Sequence, residues 1–311
     1  MKVYDRLSDF KKLPNAVVTT GTFDGVHFGH KKIISRLQDV ATAESGETVI
    51  ITFHPHPRLV LFPDDNNLRL LNTQEEKIEL LKNCGVQHLV IIPFDKEFSR
   101  ISSLDFVRNI LVNQIGAKKL VIGYDHHFGR NREGSFEHLK EFGPLYGFDV
   151  EEIPEQDIDH IAVSSSKIRK SLLEGSIKPA NEYLGYYYSL SGSVVKGNQR
   201  GRTIGFPTAN ILVDENRKLI PANGVYAAHA IVKGKKYTGM MNIGNRPTVG
   251  GGDITIEVNI FDFNEDIYGE RISVNLFDKI RNEQKFESIE LLKTQLLQDK
   301  ETVLSLREKP R

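Results

Sequence analysis

Two histidines follow a β-branched segment near the start of the chain. Residues 17–20 read Val-Val-Thr-Thr, glycines including Gly21 and Gly29 come next, and His27 and His30 lie three residues apart. The pattern indicates a strand, a tight loop and a helix. Free N–H groups and a partial positive charge at the helix start favour a phosphate, and the glycines let the backbone approach it. Because residues three apart are neighbours on a helix, both histidines are expected to face that phosphate.

The loop alone has a structural explanation as well. A glycine-rich turn between a strand and a helix is common, and a histidine at a helix start is often an exposed surface residue. The chain contains no Gly-x-x-x-x-Gly-Lys-Ser/Thr sequence, so a kinase-type phosphate loop is excluded. The longer pattern Gly-Thr-Phe-Asp-Gly-Val-His-x-Gly-His over 21–30 is more specific. It resembles the nucleotidylyltransferase signature, in which the histidine pair handles the phosphates of ATP and no covalent enzyme intermediate forms.

Further polar segments of the first half follow predicted strands or open a predicted helix. Asp125 comes after a strand and is suited to accept hydrogen bonds from a ribose or an adenine amino group, or to cap the next turn. Ser165 and Ser166 open a helix, with Arg169 one turn further on. Hydroxyl, N–H and guanidinium donors there suit an anion, although a plain serine N-cap explains the same pattern.

A rigid histidine-containing segment ends the second predicted strand. Residues 52–57 read Thr-Phe-His-Pro-His-Pro, and Phe53 is positioned to pack against an aromatic ring. Together with His27 and His30, the histidines His54 and His56 raise the question of zinc, but no carboxylate or cysteine cluster lies at ligand spacing. His54 and His56 are therefore assigned to a pocket wall.

The second half carries its own glycine-rich stretch, over 192–210. Gly197 and Gly201 free successive backbone N–H groups for phosphate oxygens, and Arg200 and Arg202 add positive charge. A glycine-rich hairpin stopped by a proline is the structural alternative.

Thr208 and Asn210 close this stretch in the sequence Phe-Pro-Thr-Ala-Asn. They are two residues apart, so in an extended segment both side chains face the same way. Both offer neutral oxygens, which suit Mg²⁺ held mainly by ATP phosphates and water.

Glu257 stands among apolar residues in the run Ile-Glu-Val-Asn-Ile over 256–260. The alternation turns this carboxylate towards a barrel, where a charge without compensation is costly. Such a group suits a general base that takes the proton of a hydroxyl attacking the γ-phosphorus of ATP. The alternative is a rim glutamate paired with Arg246 or Arg271.

In this order, the motifs resemble those of the bifunctional bacterial riboflavin kinase/FAD synthetase family, and the resemblance covers nearly the whole chain. The resemblance implies catalysis by Glu257, His27, His30 and Arg169. It implies nucleotide contacts at Gly21, Phe23, Gly29, Asp125, Ser165, Ser166, Gly197, Gly201 and Arg202. It implies flavin contacts at Phe53, His56, Pro57, Arg281 and Glu283, and Mg²⁺ at Thr208 and Asn210.

The chain departs from the family pattern at four places. His126 replaces a usual phenylalanine, Ser166 a frequent threonine and Asn259 a frequent histidine. Tyr186 begins a Tyr-Tyr-Tyr sequence where the family often has Arg-Pro-Tyr. These positions are where the resemblance alone is least informative.

Hydrophobic periodicity predicts an α/β chain of two domains. Residues 1–184 form a Rossmann-like domain, with strands near 17–20, 48–53, 88–92, 119–122 and 148–153 in a parallel sheet and helices between them, one opened by a capping box at 73–76. Residues 185–311 form an antiparallel β-barrel, with strands near 189–195, 224–232, 236–242, 254–261 and 271–277, and a final helix over 286–306.

Composition limits the classes of partner. Lys plus Arg equal Asp plus Glu at 41 each, so no net field recruits nucleic acid. The one cysteine, Cys84, forms no internal disulfide, which indicates a reducing compartment. No segment approaches the roughly 18 apolar residues of a membrane span. A cytoplasmic location is predicted, and no oligomeric state is.

The resemblance implies two ATP-dependent reactions: riboflavin is phosphorylated to FMN in the barrel, and FMN then receives AMP in the first domain to give FAD and pyrophosphate. Riboflavin, FMN and ATP are the expected small-molecule partners, with Mg²⁺ as cofactor. Two alternatives stay open: a nucleotidylyltransferase with another acceptor, and a non-catalytic flavin-responsive binding protein.

Overall fold

The structure, a computed structural model, describes residues 1–65, 67–154, 163–197, 200–245 and 254–306. It forms two compact units, Met1–Ser165 and Ser166–Arg311. The predicted domain boundary between 184 and 185 stays a prediction. Arg246, a predicted alternative partner of Glu257, lies outside the described residues, as does the side chain of Arg200.

The first unit is built on a parallel sheet of six strands. Its strands are β1 Lys2–Tyr4, β2 Ala16–Thr20, β3 Glu47–His54, β4 His88–Pro93, β5 Ala117–Gly123 and β6 Asp149–Ile153. Their spatial order is β1-β4-β3-β2-β5-β6, and every neighbouring pair is parallel. The predicted parallel sheet is confirmed. The edge strand β1 was not predicted, because three residues are too short to show a period.

Helices cover both faces of this sheet. They are α1 Phe28–Ala43, α2 Pro57–Leu61, α3 Gln74–Asn83, α4 Ser103–Asp105, which continues as a π-helical segment Phe106–Ile115, and α5 Phe136–Tyr146. Val17 of β2 packs with the cluster that includes Leu37 of α1, whereas its neighbour Val18 packs with the cluster that includes Leu111. Successive strand residues point to opposite faces, and every residue of β2 is buried, including Thr19 and Thr20 at its end.

The second unit contains a closed antiparallel barrel. Its strands are β7 Tyr188–Val195, β8 Ala209–Val213, β9 Gly224–Val232, β10 Lys235–Asn245, β11 Ile254–Ile260 and β12 Arg271–Arg281, in the closed order β10-β11-β8-β7-β12-β9. The barrel prediction is confirmed. Strand β8, which was not predicted from the sequence, lies between β11 and β7 and completes the closure of the barrel.

Helices accompany the barrel: α6 Ser165–Leu173, α7 Ile177–Leu184, α8 Arg200–Thr203 and α9 Ile289–Ser305. The final helix begins after Ser288, whose hydroxyl accepts the N–H of Leu291 at 3.2 Å. Val303 is buried and Leu296 packs beside it against barrel residues. Ile289, in the first turn of this helix, is 63% exposed and takes no part in that packing.

Candidate functional site

The strand, loop and helix expected around the histidine pair are present. β2 is buried throughout and ends at Thr20, and α1 begins at Phe28. His27 is the N-cap residue: its backbone is extended, and its Nδ1 accepts the N–H of His30 at 3.4 Å. The two rings stack, with 3.7 Å between centroids and 15° between planes. The structure therefore brings both histidines together at a helix start.

The surroundings of His30 keep its ring neutral. The ring lies against Phe23, with 5.1 Å between centroids, and its Nδ1 is buried with no hydrogen-bond partner among the described residues. Burial, together with the nearby positive charges of His27 and Lys77, lowers the pKa of His30 well below its ordinary value. An anion at this position would favour the protonated ring, because it would offset those charges.

Asp24 joins the histidine loop to two other segments. This buried carboxylate accepts the N–H of Leu71 at 2.9 Å and that of Asn72 at 3.4 Å through Oδ1. Its main-chain oxygen accepts a hydrogen bond from the hydroxyl of Ser165 at 2.8 Å. The loop, the segment before α3 and the first residue of α6 are thus tied together. Ser165 has this structural partner besides its predicted role at the nucleotide.

The other residues predicted to bind the nucleotide of the first site differ in their burial and in the unit to which they belong. Gly21 lies close to Phe23: a Cβ on Gly21 would stand 3.3 Å from the ring. Gly29 is buried in the first turn of α1. Ser166 is exposed and Arg169 half-buried on α6, and both belong to the second unit. Their roles toward ATP stay predictions.

The predicted flavin wall of the first unit is rigid. Phe53, the penultimate residue of β3, contacts the rings of Phe94 and Phe98 at centroid distances of 5.7 and 5.8 Å. His56 is the N-cap of α2, where its Nδ1 accepts the N–H of Arg58 at 3.2 Å, and Pro57 is the first helical residue. A proline there suits the helix start because the missing N–H would have no partner. Contact of these residues with a flavin stays a prediction.

Asp125 and His126 lie in the turn after β5. Asp125 is exposed, which leaves its carboxylate accessible. The ring of His126 stacks on Phe128 at 5.9 Å, and its Nε2 is buried with no hydrogen-bond partner among the described residues. Burial, with smaller effects of His127 and Arg132, lowers the pKa of His126 to about 4. At neutral pH this histidine therefore packs as an uncharged aromatic ring.

Three residues predicted for the second site meet across one strand pair. Glu257 of β11 stands directly opposite Asn210 of β8. The hydroxyl of Thr208 donates to Glu257 Oε2 at 3.2 Å. Arg271, an alternative partner for this glutamate, instead donates to Asp214. The candidate base and both candidate magnesium ligands thus share one corner of the barrel.

The two glycines predicted to bind phosphate in the second unit lie in close packing. A Cβ on Gly197 would lie 2.2 Å from Asn210 Nδ2, and one on Gly201 would lie 2.2 Å from the main-chain oxygen of Phe206. The contact at Gly201 is with backbone and leaves no room for a side chain, whereas a side chain at Gly197 would displace that of Asn210. The backbone at Gly197 therefore passes directly over the candidate magnesium ligand.

A cavity of about 270 Å³ adjoins Thr208. Its lining includes Arg202, Thr208, Val258, Phe263, Asp266 and Tyr268. The sequence predictions identified Arg202 and Thr208 but missed the segment 263–268. Its signal was an aromatic residue at either end of a short acidic loop.

The two residues predicted at the flavin in the second unit have protein partners. Arg281 forms a two-pronged ion pair with Asp299 of α9: Nε to Oδ1 is 3.0 Å and Nη2 to Oδ2 is 2.8 Å. Glu283 accepts from Asn223 at 3.5 Å and lies against Gly244, where a Cβ would stand 2.1 Å from Glu283 Oε1. Arg281 therefore anchors the last helix, and its flavin contact stays a prediction.

Each half of the chain matches a family of known proteins. The FAD synthetase family model matches residues 9–167, and the riboflavin kinase model matches residues 184–306. A bifunctional riboflavin kinase/FMN adenylyltransferase of Escherichia coli (strain K12) is 37% identical over 305 residues, covering 97% of this chain and 96% of that protein. The chain belongs to the bifunctional riboflavin kinase/FMN adenylyltransferase family. A member from Bacillus subtilis (strain 168) is 36% identical over 294 residues, covering 93% and 92%.

A solved structure shares the fold over its full length. A crystal structure described as a macrolide-efflux protein from Streptococcus pneumoniae has a TM-score of 0.89 and 33% identity, covering 98% of this chain and 99% of that chain. In the described part of this chain, no helix combines the length and the apolar character needed to cross a membrane.

One departure from the family pattern has a local structural reason. Asn259, at the position of a frequent histidine, donates its amide to the main-chain oxygen of Pro207 at 2.6 Å. This bond holds the residue that precedes Thr208. Asn259 therefore supports the backbone next to the candidate magnesium ligand Thr208.

Proposed function

We propose that this protein makes FAD from riboflavin in two steps that each consume ATP. The second unit phosphorylates the 5′-hydroxyl of riboflavin to give FMN. The first unit transfers AMP from ATP to FMN. The observation that carries the proposal is the meeting of Thr208, Asn210 and Glu257 at one corner of a barrel, in a chain whose first unit has a paired-histidine helix start. On this proposal the domains are 1–184 and 185–311.

In the kinase step, Glu257 acts as general base. It takes the proton of the 5′-hydroxyl as that oxygen forms a bond to the γ-phosphorus of ATP. The bond from the γ-phosphorus to the bridging oxygen breaks, and ADP leaves with the electron pair. The hydroxyl of Thr208 orients the carboxylate, 3.2 Å away, and the N–H groups near Gly197 and Gly201 are suited to the phosphates.

The donor set at this corner fits Mg²⁺. Thr208 and Asn210 supply neutral oxygens beside a carboxylate, and hard oxygen donors are those that Mg²⁺ prefers. We assign Thr208 and Asn210 to hold the ion together with ATP phosphates. When bound, it neutralises negative charge on those phosphates. The cavity next to Thr208, lined by Phe263 and Tyr268, is proposed to receive the rest of the nucleotide.

In the adenylyl transfer step, a phosphate oxygen of FMN forms a bond to the α-phosphorus of ATP. The bond from that phosphorus to its bridging oxygen breaks, and pyrophosphate leaves with the electron pair. The nucleophile is already an anion, so no strong base is required. We assign His27, His30 and Arg169 to neutralise the charge that develops, and the start of α1 to bind the phosphates.

Chromatographic separation of flavins tests the proposal directly. Purified protein is incubated with ATP and Mg²⁺, in one reaction with riboflavin and in another with FMN. We expect FMN and FAD from riboflavin, and FAD with an equal amount of pyrophosphate from FMN. FMN as the only product would indicate another acceptor for the first unit. Tight flavin binding without turnover would indicate a flavin-responsive binding protein, and a cytoplasmic location stays a prediction in either case.

A further inference from the structure

Helix α3 carries a buried lysine beside the histidine loop. Lys77 is only 6% exposed, although lysine is among the side chains that are rarely buried without a partner. It occupies the fourth position of α3, on the face that also buries Leu81. None of the site residues described above lies on this helix.

The start of α3 is held firmly against the loop. The hydroxyl of Thr73 accepts the N–H of Glu76, and the Glu76 carboxylate accepts the N–H of Thr73, which makes a complete capping box. Just before it, Asp24 of the loop accepts the N–H of Leu71 at 2.9 Å. These bonds fix the start of α3, and with it Lys77, against the loop that carries His27 and His30.

The ammonium of Lys77 lies near other buried polar groups. In the described ranges, no hydrogen bond or ion pair within 4.0 Å joins the Lys77 ammonium to a protein group. His30 Nδ1 and Gln74 Nε2 are also buried without a hydrogen-bond partner among those residues. Gln74 and Lys77 are three apart, so they share one face of α3.

Electrostatic interactions link Lys77 to His30 and to Asp24. The positive charge of Lys77 contributes to the lowered pKa of His30, and burial lowers the pKa of Lys77 itself, with Asp24 acting in the opposite direction. Asp24 already accepts two backbone N–H bonds through Oδ1. An incoming anion would satisfy the ammonium of Lys77 and the ring of His30 at once, whereas a buried ammonium without a partner costs stability.

We propose that Lys77 is a further phosphate-binding residue of the adenylyl transfer site, which contacts the triphosphate of ATP together with His27 and His30. Its positive charge would stabilise the negative charge on the α-phosphate oxygens as the FMN oxygen bonds to the α-phosphorus. It would then stabilise the negative charge of the leaving pyrophosphate. This inference rests on the proposed function of the histidine pair. It adds a residue from α3 to a site so far assigned to the loop and α6.

The competing explanation is structural: Lys77 only balances the buried charge of Asp24. The two explanations differ in what the substitution Lys77→Met does. Methionine has a similar length and is apolar. If Lys77 is merely structural, Lys77→Met leaves the turnover of folded protein unchanged and lowers its melting temperature. If Lys77 binds phosphate, folded protein loses FMN adenylylation at an unchanged or higher melting temperature, because a costly buried charge has been removed.

The experiment compares full-length wild type, Lys77→Met and the control Lys82→Met. Lys82 is exposed on the same helix and forms an ion pair with Glu79, at 3.5 Å. We expect Lys77→Met to lower kcat/KM for FMN adenylylation by about 10²-fold, as loss of one preorganised donor does. Riboflavin phosphorylation in the same sample should stay within about twofold, and Lys82→Met should leave both reactions unchanged. Adenylylation by Lys77→Met within about threefold of wild type would overturn the role of Lys77.

Two further outcomes are decisive. Wild-type protein that does not adenylylate FMN would overturn the proposed function, and the role of Lys77 with it; an active wild type with an active Lys77→Met overturns only the latter. If Lys77→Met does not fold, a crystal structure of wild-type protein with a non-hydrolysable ATP analogue answers the question. We then expect the Lys77 ammonium within about 3.2 Å of a phosphate oxygen. A lysine turned away from the phosphates would contradict the proposal.

Discussion

At the scale of single residues, the histidine pair shows how packing sets charge. His27 and His30 stack at 3.7 Å, a distance at which two protonated rings repel each other strongly. His27 uses its Nδ1 to accept a backbone N–H. The pair is therefore best suited to an anion that makes protonation of either ring favourable.

His126 gives the clearest pH-dependent prediction. Its pKa of about 4 in the folded state lies below the value of about 6.5 for an exposed histidine. Between these values the unfolded chain binds more protons, so stability falls as the pH falls through this window. We expect the wild type to lose about 1.4 kcal/mol per pH unit relative to His126→Phe over the window. Urea unfolding of both proteins at pH 7 and pH 5 measures this difference.

His126→Phe is a suitable comparison because the ring already stacks on Phe128. The other buried histidines are present in both proteins, so their titration cancels. An equal stability difference at both pH values would show that His126 is protonated in the folded state and that its burial does not exclude charge.

At the scale of secondary-structure elements, the barrel strands determine which predicted residues meet. The types of Thr208, Asn210 and Glu257 indicated magnesium and base chemistry from the sequence. Their proximity depends on the register of β8 against β11, in which Asn210 lies opposite Glu257. β8 itself was missed because it follows a proline and has no clear alternation. Register of a strand that closes a barrel depends on the whole barrel, which no local pattern contains.

An ion pair that is largely removed from solvent helps to attach the last helix to the barrel. Asp299 of α9 is 1% exposed and Arg281 of β12 is 18% exposed at its side chain. Removing one partner of such a pair leaves the other charge buried. We expect Asp299→Ala to lower the free energy of unfolding of the second unit by about 3 kcal/mol. Thermal unfolding followed by circular dichroism measures the loss.

The matched control is Asp214→Ala, which removes the pair between Asp214 and Arg271. Both of those side chains are about half exposed, and exposed pairs contribute at most about 1 kcal/mol. If both substitutions had the same small effect, the attachment of α9 would depend on apolar contacts such as those of Val303, and the ion pair would contribute little.

At the scale of the whole molecule, the sequence predicts the fold of both halves but not every feature of their sites. The parallel sheet, the barrel and the chemistry of the motifs were predictable, because β-branched runs and glycine spacing report them. The burial of Lys77 was not, because a lysine on an amphipathic helix is usually exposed; the available signal was its place on the same face as Leu81. The cavity beside Thr208 also escaped prediction, since it is formed by segments distant in sequence.

The central claim is that two separate sites carry out the two reactions. The most direct test measures both reactions for Glu257→Gln and His30→Ala by chromatographic separation of flavins. We predict that Glu257→Gln loses FMN formation by at least about 10²-fold and still converts FMN to FAD. We predict the reverse for His30→Ala, which should accumulate FMN from riboflavin and form little FAD. Loss of both reactions in either folded variant would contradict the assignment of independent sites to the histidine loop and to the barrel corner.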